Sequence, residues 1–130
     1  MTVVVGYIPN QHGEAALSAG IVEARTRGSD LVVVNSSKGD ALVDPKYLGE
    51  AALNELTERL SAERDVSSTV RQGLGPDVAA EIIRVADEVS ADLIVIGVRR
   101  RSPVGKMFMG SVAQEVLLDA TVPVLAVKAR

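Results

Sequence analysis

The densest set of chemistry-bearing residues lies between Gly97 and Ser111, in the run G-V-R-R-R-S-P-V-G-K-M-F-M-G-S. An apolar, strand-like stretch ends at Gly97, a basic loop follows, and a helical pattern opens at Gly110-Ser111. A helix N-terminus carries unpaired N–H groups and the positive end of the helix dipole, so it attracts phosphate. Glycine lets a backbone approach a ligand without a Cβ in the way. Arg99, Arg100 and Arg101 can add charge-assisted hydrogen bonds to phosphate oxygens. The same residues have a plainer explanation. Ser111 with Gln114 three residues later is a capping-box pattern, which alone would account for the serine. Three arginines on a loop can simply be solvated. The residues by themselves leave both explanations open.

Other motifs fail on inspection. Gly105-Lys106 resembles the end of a phosphate-binding loop, but Met107 follows the lysine and the upstream glycine is missing. Gly73-Leu74-Gly75 lacks the third glycine of a dinucleotide fingerprint and follows the third strand instead of the first. Asn35-Ser36-Ser37 fits a glycosylation sequon, with nothing pointing to secretion. His12 is the one histidine, expected on the surface of the loop after the first strand, although that loop should border the ligand crevice. Asp40, Asp44 and Glu50 form no pair beside a nucleophile, and Ser36 and Ser37 lack an evident base. No catalytic constellation emerges, so the chain is read as a binding protein and not an enzyme. Neither HIGH-like and KMSKS-like signatures nor an SGGxD-type pyrophosphate loop occurs, which argues against an adenylate-transferring enzyme.

Composition narrows the function classes further. The 130 residues are one domain's worth of chain, and 47% hydrophobic residues suffice for one core. A net charge of -3 argues against binding nucleic acid through bulk positive charge, and Tyr7, Tyr47 and Phe108 are too few for base-stacking platforms. The absence of cysteine excludes disulfide scaffolds, thiolate catalysis and cysteine metal sites. No apolar run reaches membrane-spanning length and no signal-peptide pattern opens the chain, so a cytoplasmic location is expected.

The elements that must position the Gly97–Ser111 loop are legible as short valine-rich runs separated by helical patterns. Strands are predicted at 2–8, 30–35, 92–97 and 122–128, with a weaker, more polar one at 67–72. Continuous apolar runs suit a sheet covered on both faces. Helices are predicted at 14–27 (Leu17, Ile21 and Ala24 on one face), 50–64 (Leu53, Leu56, Leu60), 77–89 (Val78, Ile82, Val85, Val89) and 112–120 (Val112, Val116, Leu117). Such alternation predicts an α/β fold: a three-layer, doubly wound, parallel five-stranded sheet with right-handed crossovers. The segment 36–44 is expected to form a mobile loop at the edge of the crevice.

The whole chain resembles the universal stress protein family in its small single-domain form, here residues 1–130. The likeness rests on the opening VVVG, the stretch RQGLGPDVAAEIIRVADEVSADLIVIG, the helix opening GSVAQEVL and the closing TVPVLAVK. The family's nucleotide motif is glycine, two residues, glycine, nine residues, glycine, then Ser or Thr. This chain has Gly97, two residues, Arg100, nine residues, Gly110 and Ser111, with arginine in place of the second glycine.

The resemblance implies a Rossmann-like sheet of order 3-2-1-4-5 and a ligand between the loops after the first and fourth strands. It implies a stress-response protein binding an adenine nucleotide, ATP or AMP, with magnesium accompanying a triphosphate. Gly97, Arg99 and Arg100 would line ribose and phosphates. Gly110, Ser111 and Val112 would offer N–H groups and a hydroxyl to phosphate, and Asn35 and Ser36 would meet the adenine edge through backbone atoms. The family's aspartate after the first strand is absent. Tyr7, Ile8 and Pro9 occupy that region, with Ile8 at the equivalent position, and Asn10 or the Tyr7 hydroxyl as substitute polar groups. The resemblance also implies a homodimer through the last strand, Val122 to Lys128. In the implied order that strand is an apolar sheet edge that seeks a partner. The alternative is a dimeric interaction module of the same family that binds no nucleotide.

Overall fold

The computed structural model describes residues 1–37, 47–75, 77–98 and 110–129. Nine elements alternate along the chain: β1 (Thr2–Gly6), α1 (Gln11–Arg27), β2 (Asp30–Ser37), α2 (Glu50–Ser61), β3 (Ser68–Leu74), α3 (Val78–Glu88), β4 (Leu93–Val98), α4 (Ser111–Asp119) and β5 (Val124–Lys128). The strands form one parallel sheet of order β3-β2-β1-β4-β5. Val4 of β1 pairs with Val32 of β2 on one side and with Ile94 of β4 on the other.

The valine runs are explained by burial on both sides. Val3, Val4 and Val5 are each 0% exposed although their side chains alternate between faces. Val3, Val5, Leu31, Val33 and Val95 pack with Leu17 and Ala24 of α1 and Leu56 and Leu60 of α2. Val4, Val32, Val34, Ile94 and Ile96 pack with Ile82 and Val85 of α3 and Ala113 and Val116 of α4. The molecule therefore has three layers, α1/α2, sheet, α3/α4. Burying each valine side chain contributes about 1.5 kcal/mol, so a polar residue within β1 would be strongly disfavoured.

Several boundaries differ from expectation for local reasons. α1 begins at Gln11, three residues before the predicted start, because the Asn10 side chain accepts from the amides of His12 and Gly13 and caps the helix. His12 therefore sits in the first helical turn, not in a loop. α1 ends at Gly28, whose φ of 65° is the left-handed conformation that terminates helices. β2 runs on to Ser37, so Ser36 belongs to a strand, and the remainder of the loop expected at 36–44 lies outside the described residues. Leu117 of α4 is exposed; Ala113 takes the inward place with Val116. Among the described residues no helix is long and apolar enough to cross a membrane.

Candidate functional site

β1 lies between β2 and β4, and the chain leaves β1 and β4 towards opposite faces of the sheet. In doubly wound sheets the loops part at such a switch point and leave a crevice beyond the strands' carboxyl ends. Here that crevice is a cavity of about 400 Å³ on the α3/α4 side. It falls within the size range of small-molecule sites.

The floor is apolar. Gly6, Val34 and Ile96 rise from the sheet, and Val78 and Ile82 descend from α3. A Cβ on Gly6 would lie 2.9 Å from Ile82 Cδ1, so a larger residue there would fill the slot. Such a slot suits a flat, weakly polar ring. No carboxylate, lysine or arginine side chain is among the described lining residues, and among the described residues no group of three or more His, Asp or Glu is placed to hold a metal.

Two helix N-termini border the cavity, and they differ. At α1, Asn10 Oδ1 accepts from the amides of His12 and Gly13, both at 2.9 Å, so that end is satisfied from within. At α4 the N-cap is Gly110, which has no side chain to cap the turn. The first amide bonded within the helix is that of Gln114, to the Gly110 carbonyl at 3.0 Å. The N–H groups of Ser111, Val112 and Ala113 precede it and have no helical acceptor, and all three residues line the cavity. The N-cap place that a capping box would give to Ser111 is taken by Gly110. Ser111 is already the first helical residue, one position too late to cap.

Gly97 is glycine for a steric reason that sequence alone did not give. A Cβ there would overlap the backbone carbonyl of His12, where the first turn of α1 crosses β4. A Cβ at Gly13 would likewise overlap the Ile8 carbonyl. These two close approaches bring His12 and Ile8 to the cavity wall.

The opposite side of the β1 terminus is tied down by polar contacts. Asn35 is fully buried on the α1/α2 face, beside Tyr7. Its Nδ2 donates to the Tyr7 carbonyl at 3.1 Å, and its Oδ1 accepts from the Leu48 amide at 2.9 Å and from Gln72 Nε2 at 3.0 Å. The Tyr7 hydroxyl donates to Glu14 Oε2 at 2.5 Å, and Arg59 of α2 pairs with Glu14 Oε1 at 2.7 Å. Burial first, then the Glu14 hydrogen bond and charge, push the Tyr7 phenol up to about 12. The hydrogen bond from Arg59 holds the Glu14 carboxyl below its usual range. The polar substitutes expected for the missing aspartate are therefore already engaged. Asn10 spends its oxygen on capping α1, and the Tyr7 hydroxyl turns to the other face.

Of the residues singled out in the sequence, Tyr7, Ile8, Ser36, Gly97, Gly110, Ser111 and Val112 come together around the cavity. Asn35 and Pro9 are not among its lining residues. Arg99 and Arg100 lie outside the described residues. The apolar floor was not singled out in the sequence as part of the site. The alternation Val4-Gly6-Ile8 and the helical spacing of Val78 and Ile82 carried that signal.

Comparison with known proteins fits this arrangement. The family model described as "Universal stress protein family" matches residues 1–128. A universal stress protein of Mycolicibacterium smegmatis is 41% identical over 126 residues, covering 97% of this chain and 96% of its own. Among solved structures, a universal stress protein from Archaeoglobus fulgidus is 32% identical, with a TM-score of 0.75 and 98% of both chains covered. Another, the Archaeoglobus fulgidus universal stress protein in complex with dAMP, is 27% identical with a TM-score of 0.65, again over 98% of both chains. On fold, family match and chain-wide identity together, this chain belongs to the universal stress protein family.

Proposed function

We propose that this protein binds an adenine nucleotide, AMP or ATP, in the cavity at the end of β1 and β4. The observation that carries the proposal is the N-terminus of α4, which has glycine at its N-cap and faces an apolar-floored cavity. The base lies on Gly6, Val34 and Ile82, and the phosphates take the amides of Ser111, Val112 and Ala113. Arg99 and Arg100, on the connection that leads into α4, add charge to phosphate. The Archaeoglobus relative in complex with dAMP supports the ligand class. With no carboxylate in the described lining, magnesium arrives with a triphosphate and is held chiefly by its oxygens. The protein binds the nucleotide without turning it over and works in the cytoplasm, where that nucleotide pool is found.

The same reading includes a homodimer through β5. That strand is the edge of the sheet, and Leu125 and Ala126 are exposed along it. Mass spectrometry of material released on denaturation should find an adenine nucleotide travelling with the purified protein. Arg100→Ala should weaken ATP binding about tenfold while leaving adenosine binding unchanged, consistent with loss of one charge-assisted contact. Equal losses for both ligands would count against phosphate contact by Arg100.

A further inference from the structure

Buried polar atoms in folded proteins nearly always have hydrogen-bond partners. Among the described residues three buried side-chain atoms have none: His12 Nδ1, Ser29 Oγ and Ser36 Oγ. Ser29 lies in the turn after α1, at the far end of the sheet. The other two belong to residues that line the same cavity. Ser36 is 5% exposed, and its side chain projects on the face of Val32 and Val34, towards α3 and α4. His12 rests against Gly97, so its position follows from the close crossing of α1 over β4.

The two residues stand on opposite walls. Ser36 is the penultimate residue of β2 and His12 lies over β4, with the end of β1 between them. Two strand spacings separate those walls, about 10 Å. That is comparable to the reach of a nucleoside from its base edge to its sugar. The Ile8 side chain between them is apolar, and the neighbouring Asn10 oxygen and Tyr7 hydroxyl are already bonded elsewhere.

Resting on the nucleotide-binding reading, we propose that Ser36 Oγ and His12 Nδ1 are the side-chain contacts that orient the nucleoside in this cavity. The serine meets the base edge and the histidine meets the sugar. Each atom is unpaired in the free protein and gains its partner only from the ligand. An unpaired buried hydroxyl is a net cost to the free fold, so its removal should not destabilise the protein. A structural serine would behave the other way.

The test is calorimetry with AMP and adenosine on the wild type, Ser36→Ala and His12→Phe, with melting temperatures of the unliganded proteins. Phe keeps the ring volume while removing both nitrogens. The expected result is an unliganded Ser36→Ala that melts at or above the wild type. Each variant should bind AMP and adenosine about tenfold more weakly, the loss being the same for both ligands. Wild-type binding with no loss in either variant would overturn this inference and leave the nucleotide reading intact. A wild type that binds neither ligand would overturn both. A Ser36→Ala that melts lower than the wild type would also overturn it, by showing that the hydroxyl serves the fold.

Discussion

Tyr7 sits where the two faces of the sheet meet the site. Its ring belongs to the α1/α2 core and its hydroxyl joins Glu14 and Arg59, while its backbone carbonyl is held by Asn35. The hydroxyl thus links β1 to α1, and through Arg59 to α2. Its titration should be visible in stability. The folded protein keeps the phenol proton to about pH 12, whereas an unfolded chain releases it near the ordinary value of 10. Stability from this group is fully present below pH 10 and is lost as pH rises through 10 towards 12. Tyr7→Phe should cost about 1 kcal/mol at neutral pH and should remove most of that alkaline loss. Denaturant midpoints measured from pH 8 to pH 11.5 check both. An unchanged alkaline slope in the variant would place the titration elsewhere. Glu14 works in the opposite direction. Arg59 holds its carboxyl low, so its contribution is present above the ordinary carboxylate range and fades as pH falls below it.

Among the elements, α4 is the one on which the proposed phosphate contact depends. Its N-cap is a glycine with extended backbone, φ −62° and ψ 157°, and a Cβ there would meet nothing within 4 Å. Gly110→Asp can therefore be accommodated, and a capping carboxylate should stabilise the helix by about 1 kcal/mol. The same carboxylate would occupy the amides and repel a phosphate. The expected outcome is a raised melting temperature together with at least a tenfold loss of AMP affinity. A variant that gains stability and keeps its affinity would show that phosphate does not use this turn. This element also shows what the sequence made legible. The valine runs announced every buried strand, because burial on both faces demands continuous apolar residues. The Gly110-Ser111 helix start was readable from its glycine. The role of Ser111 was not, because the capping-box pattern is the same whether the serine stands at the cap or one residue after it. His12 was misplaced because its environment depends on α1 crossing Gly97, a contact between residues 85 positions apart. Asn35 was expected to meet the adenine edge through backbone atoms; the alternation of β2 turns its side chain to the other face, where it bonds Tyr7 and Leu48.

For the whole molecule, the asymmetry of the sheet matters. β3, at one edge, is polar, with Ser68, Thr69, Arg71 and Gln72, which discourages pairing. β5, at the other, carries Val124, Leu125, Ala126 and Val127 before its first charge at Lys128. Sedimentation at micromolar concentration should give a dimer, and Leu125→Lys should shift it to monomer with little change in fold. A wild-type monomer would remove β5 as an interface. Leu125 is not among the lining residues of the cavity, so the variant should retain its nucleotide affinity.

In the proposed complex the first turn of α4 receives a phosphate. Calorimetry comparing AMP with adenosine tests it most directly, since the two differ only in that group. The expected result is saturable binding of AMP at one site per chain, at least tenfold tighter than adenosine, with the advantage shrinking as salt is raised. Equal affinities for the two, or no heat with either at millimolar concentration, would contradict it.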